Sequence, residues 1–203
     1  MSARIERERC TWAGAIGTEY ARYHDEEWGV PMTDDRALFE KLTLEGFQAG
    51  LSWITILRKR ENFRKAFHNF DAARIARFTE RDIARLMNDE GIIRNRAKIE
   101  ATISNAKAYL ELSERMPFSR FVWGLIDGRP IVNSLKAVKD APTETDASKR
   151  MSKALKAEGF RFVGSTTLYA FMQSTGMVND HVVSCFRHAP CAKLQKTLKI
   201  RGL

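Results

Sequence analysis

Apolar residues recur at helical spacing along most of this chain, and no period-two alternation runs long enough to make a strand. An all-α fold is therefore expected. Thr33 can cap a helix over roughly 34–49, with Asp34 and Asp35 in its first turn, where the helix dipole favours anions. Gly50 ends it, and Ser52 can cap a second helix to about Phe67. Thr79 and Asp82 make a capping-box-like start to a helix through Met87, with Asn88 and Gly91 as turn residues. Ala97, Ile99, Ile103, Ala106 and Leu110 predict a helix over 95–113, and a short one is expected over 117–125. Residues 127–147 have the Pro, Gly, Thr and Asp content of a loop or crossover. Helices resume over about 147–157 and 165–175, and a short one is expected to start at Asn179 or Asp180.

The length, 203 residues, fits one domain or two small ones sharing a core. With 44% hydrophobic and 29% charged residues the chain is neither disordered nor collagen-like. No stretch approaches ~20 apolar residues, so no bilayer span and no membrane partner is expected. The first ten residues have no apolar core, which argues against a secretory signal. Cys10, Cys185 and Cys191 are odd in number and widely spaced, which argues against a disulfide framework. A reducing, cytoplasmic location is the expectation, with metal binding left open.

The formal net charge of +9 is unevenly spread. Residues 1–50 hold 6 basic and 10 acidic side chains, whereas residues 147–203 hold 10 and 2. A basic region of that kind suits a polyanion, because Lys and Arg displace counterions condensed on phosphates, although a solvated basic surface has the same composition.

Four constellations stand out. Leu38, Leu42, Glu45 and Ala49 fall on one face of the 34–49 helix, so Glu45 interrupts a stripe that should be buried. A buried carboxylate is either paired internally or placed for a ligand that donates hydrogen bonds. Trp12, Tyr20, Tyr23, Trp28 and Trp53 cluster in the first 53 residues and could either fill a core or stack on nucleobases. His181 and Cys185, at i and i+4, share one face if helical and could be two ligands of one metal. The other two ligands could be the local His188 and Cys191, slightly favoured by spacing, or the distant Cys10 and His24. Gly159 and Gly164, followed by Ser165 and Thr166, lack the Lys of a nucleotide-phosphate loop and read as helix, glycine hairpin, helix. The hairpin amides and the following helix start could meet a phosphate, with Lys149, Arg150, Lys153, Lys156 and Arg161 around them. An ordinary tight turn would look the same.

Several longer segments carry a resemblance. Cys10-Thr11-Trp12, Tyr23 to Pro31, Leu44 to Trp53, Gly91 to Ile99, Gly159 to Thr167 and Val178 to Cys185 together resemble the bacterial type I 3-methyladenine DNA glycosylases, in the family's order over about residues 9–186. The resemblance implies a helix-hairpin-helix glycosylase fold in one unit of two packed helical lobes. One would cover about 34–126, and the other 1–33 plus 147–203, with the hairpin at 159–164. It implies a structural zinc on Cys10, His24, His181 and Cys185, in place of the local set. It makes Glu45 the carboxylate that hydrogen-bonds the damaged base and Tyr23 and Trp53 the stacking aromatics, with Trp12, Tyr20 and Trp28 in the pocket or its wall. Gly50 and Leu51 would enter the gap left by a flipped nucleotide. Gly159, Arg161, Gly164, Ser165 and Thr166 would hold the DNA backbone.

The implied activity is hydrolysis of the N-glycosidic bond of 3-methyladenine in alkylated double-stranded DNA, releasing free 3-methyladenine, by a monomer. Many helix-hairpin-helix relatives carry a catalytic Asp where this chain has Asn179, and no Lys in this motif can form a Schiff base. A monofunctional hydrolase without lyase activity follows, with Asp180 next door expected to cap the helix bearing His181 and Cys185. Two competing readings are a non-enzymatic, zinc-stapled DNA-binding module with Glu45 in a structural ion pair, and a zinc-dependent hydrolase.

Overall fold

A computed structural model describes residues 7–200, and these hold ten α-helices and one two-stranded parallel ladder. Side-chain caps set several helix starts. Thr18 accepts from the Ala21 amide at the head of α1 (Glu19–Glu26), and Asp34 from the Ala37 amide at the head of α2 (Asp35–Gln48). The α2 cap is thus Asp34, one residue beyond the expected Thr33. Gly50, at φ +82°, turns the chain into α3 (Trp53–Ala66). There Ser52 holds the cap position, but its hydroxyl pairs with Thr55 Oγ1 rather than with a backbone amide.

Short helices α4 (Ala72–Ile75) and α5 (Glu80–Met87) lead to the long α6 (Arg96–Ser113), capped by Asn95. The start of α7 (Phe118–Gly124) is capped from a distance, because Asp35 accepts from the Phe118 and Ser119 amides. Next come β1 (Ile131–Val132) and a 3₁₀ turn at Val138–Asp140, inside the stretch expected to be irregular. Helix α8 (Asp146–Ala157) packs against α9 (Ser165–Ser174) across the turn at 158–164. Strand β2 (Val178–Asn179) pairs in parallel with β1, and α10 (His188–Lys196) follows.

Two apolar clusters hold these elements together. The first joins Tyr23, Phe39, Phe47 and Trp53 to Phe63, Phe67 and Ile99; the second joins Leu38, Leu42 and Leu112 to Phe118, Trp123, Leu155, Phe171 and Val178. Helices α2 and α6 contribute to both, so the two clusters form one continuous interior. Gly176 allows a close approach that no other residue could make. Its φ is +71°, and a Cβ there would lie 2.4 Å from the Pro31 nitrogen. That contact brings the chain after α9 against the segment that follows α1.

The helix expected from Asn179 or Asp180 does not form. The chain over 180–187 is a run of turns whose amides bond to distant segments: Val183 donates to the Leu135 carbonyl and Phe186 to the Glu8 carbonyl. Asp180 therefore caps nothing. The basic tail is folded as far as it is described, with Cys191 and Gln195 buried and Leu198 and Ile200 packed on the second cluster. Residues 1–6 and 201–203, the ends of the expected first segment and of the tail, lie outside the described residues.

Candidate active site and metal cluster

Trp12, Tyr20, Tyr23, Trp28, Glu45 and Trp53 line a single cavity of about 220 Å³. That is smaller than the roughly 300–1,000 Å³ of drug-sized ligand clefts and suits one small ring system. Helix α1 supplies Tyr20 and Tyr23, α2 supplies Glu45, and α3 begins with Trp53. Three further walls were not foreseen: Gln173 and Ser174 at the end of α9, Val138 and Ala141 beside the 3₁₀ turn, and Asp180.

Glu45 is 3% exposed and forms no ion pair among the described residues. Burial pushes its carboxyl up to about 7, opposed by the charge of Lys41 and the hydroxyl of Ser174. Its field in turn reaches the Tyr20 and Tyr23 phenols, which burial and this charge both raise.

Lys41 sits one turn before Glu45 on α2 and is itself buried. Its Nζ lies 5.0 Å from the ring centroids of both Tyr23 and Trp53, and burial lowers its pKa. It does not line the cavity but stands behind these rings. Sequence reading missed it; the available signal was a lysine four residues before Glu45, and so on the same helix face.

Tyr23 and Trp53 pack on each other, with centroids 5.4 Å apart and planes tilted by 42°. A ring sandwiched between two others needs roughly 7 Å, twice a van der Waals contact. This spacing leaves no room for a flat ligand between the two rings. Trp53 Nε1 is buried and has no hydrogen-bond partner among the described residues.

Behind Trp12 and Trp28 lies the second cluster. Cys10, His24, His181 and Cys185 are all buried, and their ligand atoms lie within 4.8 Å of one another. Cys185 Sγ is 3.5 Å from His24 Nε2 and 3.6 Å from His181 Nδ1, and Cys10 Sγ is 3.7 Å from His181 Nδ1. Both imidazoles are oriented from outside. His24 Nδ1 donates to Asp25, held in turn by Arg9, and His181 Nε2 donates to the Trp28 carbonyl. Each ring thus turns its other nitrogen toward the thiols. The Cys10 thiol's hydrogen bond draws the Cys185 thiol far down, and the same sharing with burial pushes Cys10 up.

The i, i+4 spacing of His181 and Cys185 does bring them together, but on a turn and not on a helix. His188 instead donates to the Asn133 carbonyl. Cys191 lies close by, accepting from the Arg187 guanidinium at 3.5 Å, and is not one of the four.

The remaining candidates lie away from the cavity. Gly50 and Leu51 form an exposed turn, with Leu51 42% exposed. Lys98 steadies it by donating to the Phe47 and Ala49 carbonyls at the end of α2. Gly159 and Gly164 bound the turn between α8 and α9, with Arg161, Thr166, Lys149, Arg150, Lys153 and Lys156 exposed around it. The Arg161 amide, expected to be open, is taken by Asn105 Oδ1 at 2.7 Å, and Asn105 Nδ2 returns a bond to the Arg161 carbonyl. Ser165 donates its hydroxyl to Glu144.

Among the described residues no helix is long and apolar enough to cross a membrane. A family model described as methyladenine glycosylase matches residues 12–188. The chain is 52% identical over 179 residues to the DNA-3-methyladenine glycosylase 1 of Escherichia coli, covering 88% of this chain and 95% of that one. It is also 52% identical over 184 residues to the DNA-3-methyladenine glycosylase of Haemophilus influenzae, covering 90% and 97%. A crystal structure of a 3-methyladenine DNA glycosylase I superposes with a TM-score of 0.87 at 52% identity, over 89% of this chain and all of that one. The Staphylococcus aureus enzyme, solved to explain 3-methyladenine recognition, superposes at 0.84 with 36% identity, over 89% and 96%. With a matching family model over most of its length, and relatives this similar end to end, the chain belongs to the methyladenine glycosylase family.

Proposed function

We propose that this chain hydrolyses the N-glycosidic bond of 3-methyladenine in alkylated duplex DNA, with Glu45 receiving the flipped base. One observation carries the residue assignment: a buried carboxylate without an ion-pair partner stands in a small cavity walled by Trp12, Tyr20, Tyr23, Trp28 and Trp53. Alkylation at N3 makes adenine a cation, and a carboxylate with π faces binds a cation better than a neutral ring. The base stacks on one ring face. Because the base leaves neutral, no strong general acid is needed, and water completes the reaction. No lysine among the described residues lines the cavity, which supports hydrolysis without strand cleavage.

The α8–turn–α9 unit serves as the helix-hairpin-helix grip on the DNA backbone. With the Arg161 amide occupied, the first-turn amides of α9 at Ser165 and Thr166 and the surrounding lysines carry that contact. Leu51, beside Gly50, fills the space the flipped nucleotide leaves.

Cys10, His24, His181 and Cys185 suit zinc. Sulfur and nitrogen donors about 3.5 Å apart are the edges of a tetrahedron centred roughly 2.0–2.3 Å from each. When bound, the metal would hold both thiols as thiolates and staple the segments around residues 10, 24 and 181–185. Four protein donors leave no position for a water, so its role is structural.

The test is a base-release assay on N-methylated DNA, with the freed base identified by chromatography. Free 3-methyladenine without strand scission is expected, and its near absence with Glu45→Gln. No released base, or full release by a folded Glu45→Gln variant, would overturn the function or the assignment respectively.

A further inference from the structure

Two carboxylates line the cavity, and they are held in opposite ways. Glu45 has a cation, Lys41, one turn away on its own helix, and beside it the Ser174 hydroxyl, which donates to the Phe171 carbonyl. Asp180, 3% exposed, is held by three neutral donors. Asn133 Nδ2 donates to Oδ1 at 2.6 Å, while Tyr169 Oη and Gln173 Nε2 donate to Oδ2 at 2.6 and 2.7 Å. Dipoles of this kind hold a negative charge without cancelling it, and with both oxygens anchored the group cannot swing away. Tyr169 and Gln173 are one turn apart on α9, whose other end is the hairpin, and Asn133 directly follows β1. The carboxylate is thus fixed by the same helix that begins at the DNA-gripping turn.

We propose that Asp180 is the cavity's fixed countercharge for the deoxyribose cation, while Glu45 serves the base. This rests on the reading of the cavity as the base pocket. The chemistry requires charge to move. When the C1′–N9 bond breaks, its electron pair goes to N9 and the base leaves neutral, while the positive charge passes to the sugar. Water then adds to C1′ through an oxygen lone pair, and its proton passes to bulk water. A carboxylate that serves the base alone loses its partner at that moment; a second, preorganised one stabilises the state that follows.

Asp180→Asn is nearly isosteric. Its oxygen can still accept from Tyr169 and Gln173, and the Asn133 amide can turn to accept from the new one, so hydrogen bonding survives while the charge is lost. Single-turnover excision is expected to fall by roughly 10²-fold, with affinity for free 3-methyladenine within about threefold of wild type. The second measurement uses DNA carrying a protonated pyrrolidine or a neutral tetrahydrofuran in place of the sugar. Wild type and Glu45→Gln should prefer the cationic analogue, and Asp180→Asn should not. Wild-type excision by Asp180→Asn, in protein of unchanged metal content and melting temperature, would overturn the proposal. So would base affinity lost in step with rate, or loss of the cation preference in Glu45→Gln. That last comparison decides the matter even if Asp180→Asn fails to fold. Glu45→Gln that keeps both base affinity and excision would instead remove the base-pocket reading beneath it.

Discussion

The Cys/His cluster and the Glu45 cavity stand back to back, divided by Trp12 and Trp28, yet they treat buried polar atoms differently. Trp28 packs 4.6 Å from the His181 ring and 4.9 Å from Trp12, and both tryptophans face the cavity on their other side. In the cluster every donor is aimed inward and every imidazole is braced from outside by Asp25 or a carbonyl. In the cavity Glu45 is desolvated without full compensation, and Trp53 Nε1 has no partner. The first gathers four donors braced from outside by the protein; the second leaves polar atoms under-compensated within it. Two indoles therefore separate a braced set of donors from an under-compensated one.

The comparison breaks most severely on the cluster side. Cys185→Ala, or removal of the proposed metal by a chelator, should cost about 5 kcal/mol or more, since loss of a metal site is among the few single changes of that size. Thermal melting would then drop by roughly 10–20 °C for a chain of this length, and excision would be lost with the fold. An unchanged melting curve would remove the structural role given to the cluster.

Glu45→Gln should do the reverse: excision falls by about 100-fold or more, while the fold becomes more stable. The carboxyl is raised from 4.5 to about 7 in the folded protein, so the native state binds more protons. Its contribution to stability is full below 4.5 and is lost as pH rises through about 7. Above that the glutamine variant should gain up to roughly 3 kcal/mol, read as a denaturant midpoint at pH 8.5. A less stable folded variant would mean that Glu45 is satisfied internally.

A smaller effect sharpens the cavity's electrostatics. If the ionised form of Glu45 receives the cationic base, as proposed, kcat/KM should fall as pH drops through about 7. Lys41→Met removes the charge that favours the carboxylate, so the acid limb should move to higher pH, by a unit or less. A limb that stays in place would show that Lys41 is only packing. Smallest of all, Lys153→Ala on the hairpin flank should reduce the salt dependence of DNA binding by about one counterion and leave base selectivity unchanged.

Legibility in the sequence followed how local each interaction is. Asp34, Asn95 and Thr145 cap their own helices, so most helix limits fell within a residue or two of expectation. The i, i+4 stripe exposed Glu45 because a helix face is a local pattern. Elements whose hydrogen bonds go elsewhere gave no signal. Strands β1 and β2 have two residues each, too few for a period, and the turns at 180–187 bond to Glu8 and Leu135. The same holds for single residues. Asp180, Asn105 and Lys98 look like surface polar residues until their partners, 47, 56 and about 50 positions away, are known.

The separation within the Cys/His cluster bears on how the protein is made. Cys10 and His181 are 171 positions apart, so the ribosome delivers one side of the cluster long before the other. Until residues 181–185 emerge, Trp12 and Trp28 have only His24 and Cys10 behind them, without His181 and Cys185. The nascent α1–α3 segment can gather its aromatic rings but cannot set the wall of the cavity. The cavity's wall is therefore completed late, although most of the residues that line it are synthesised early.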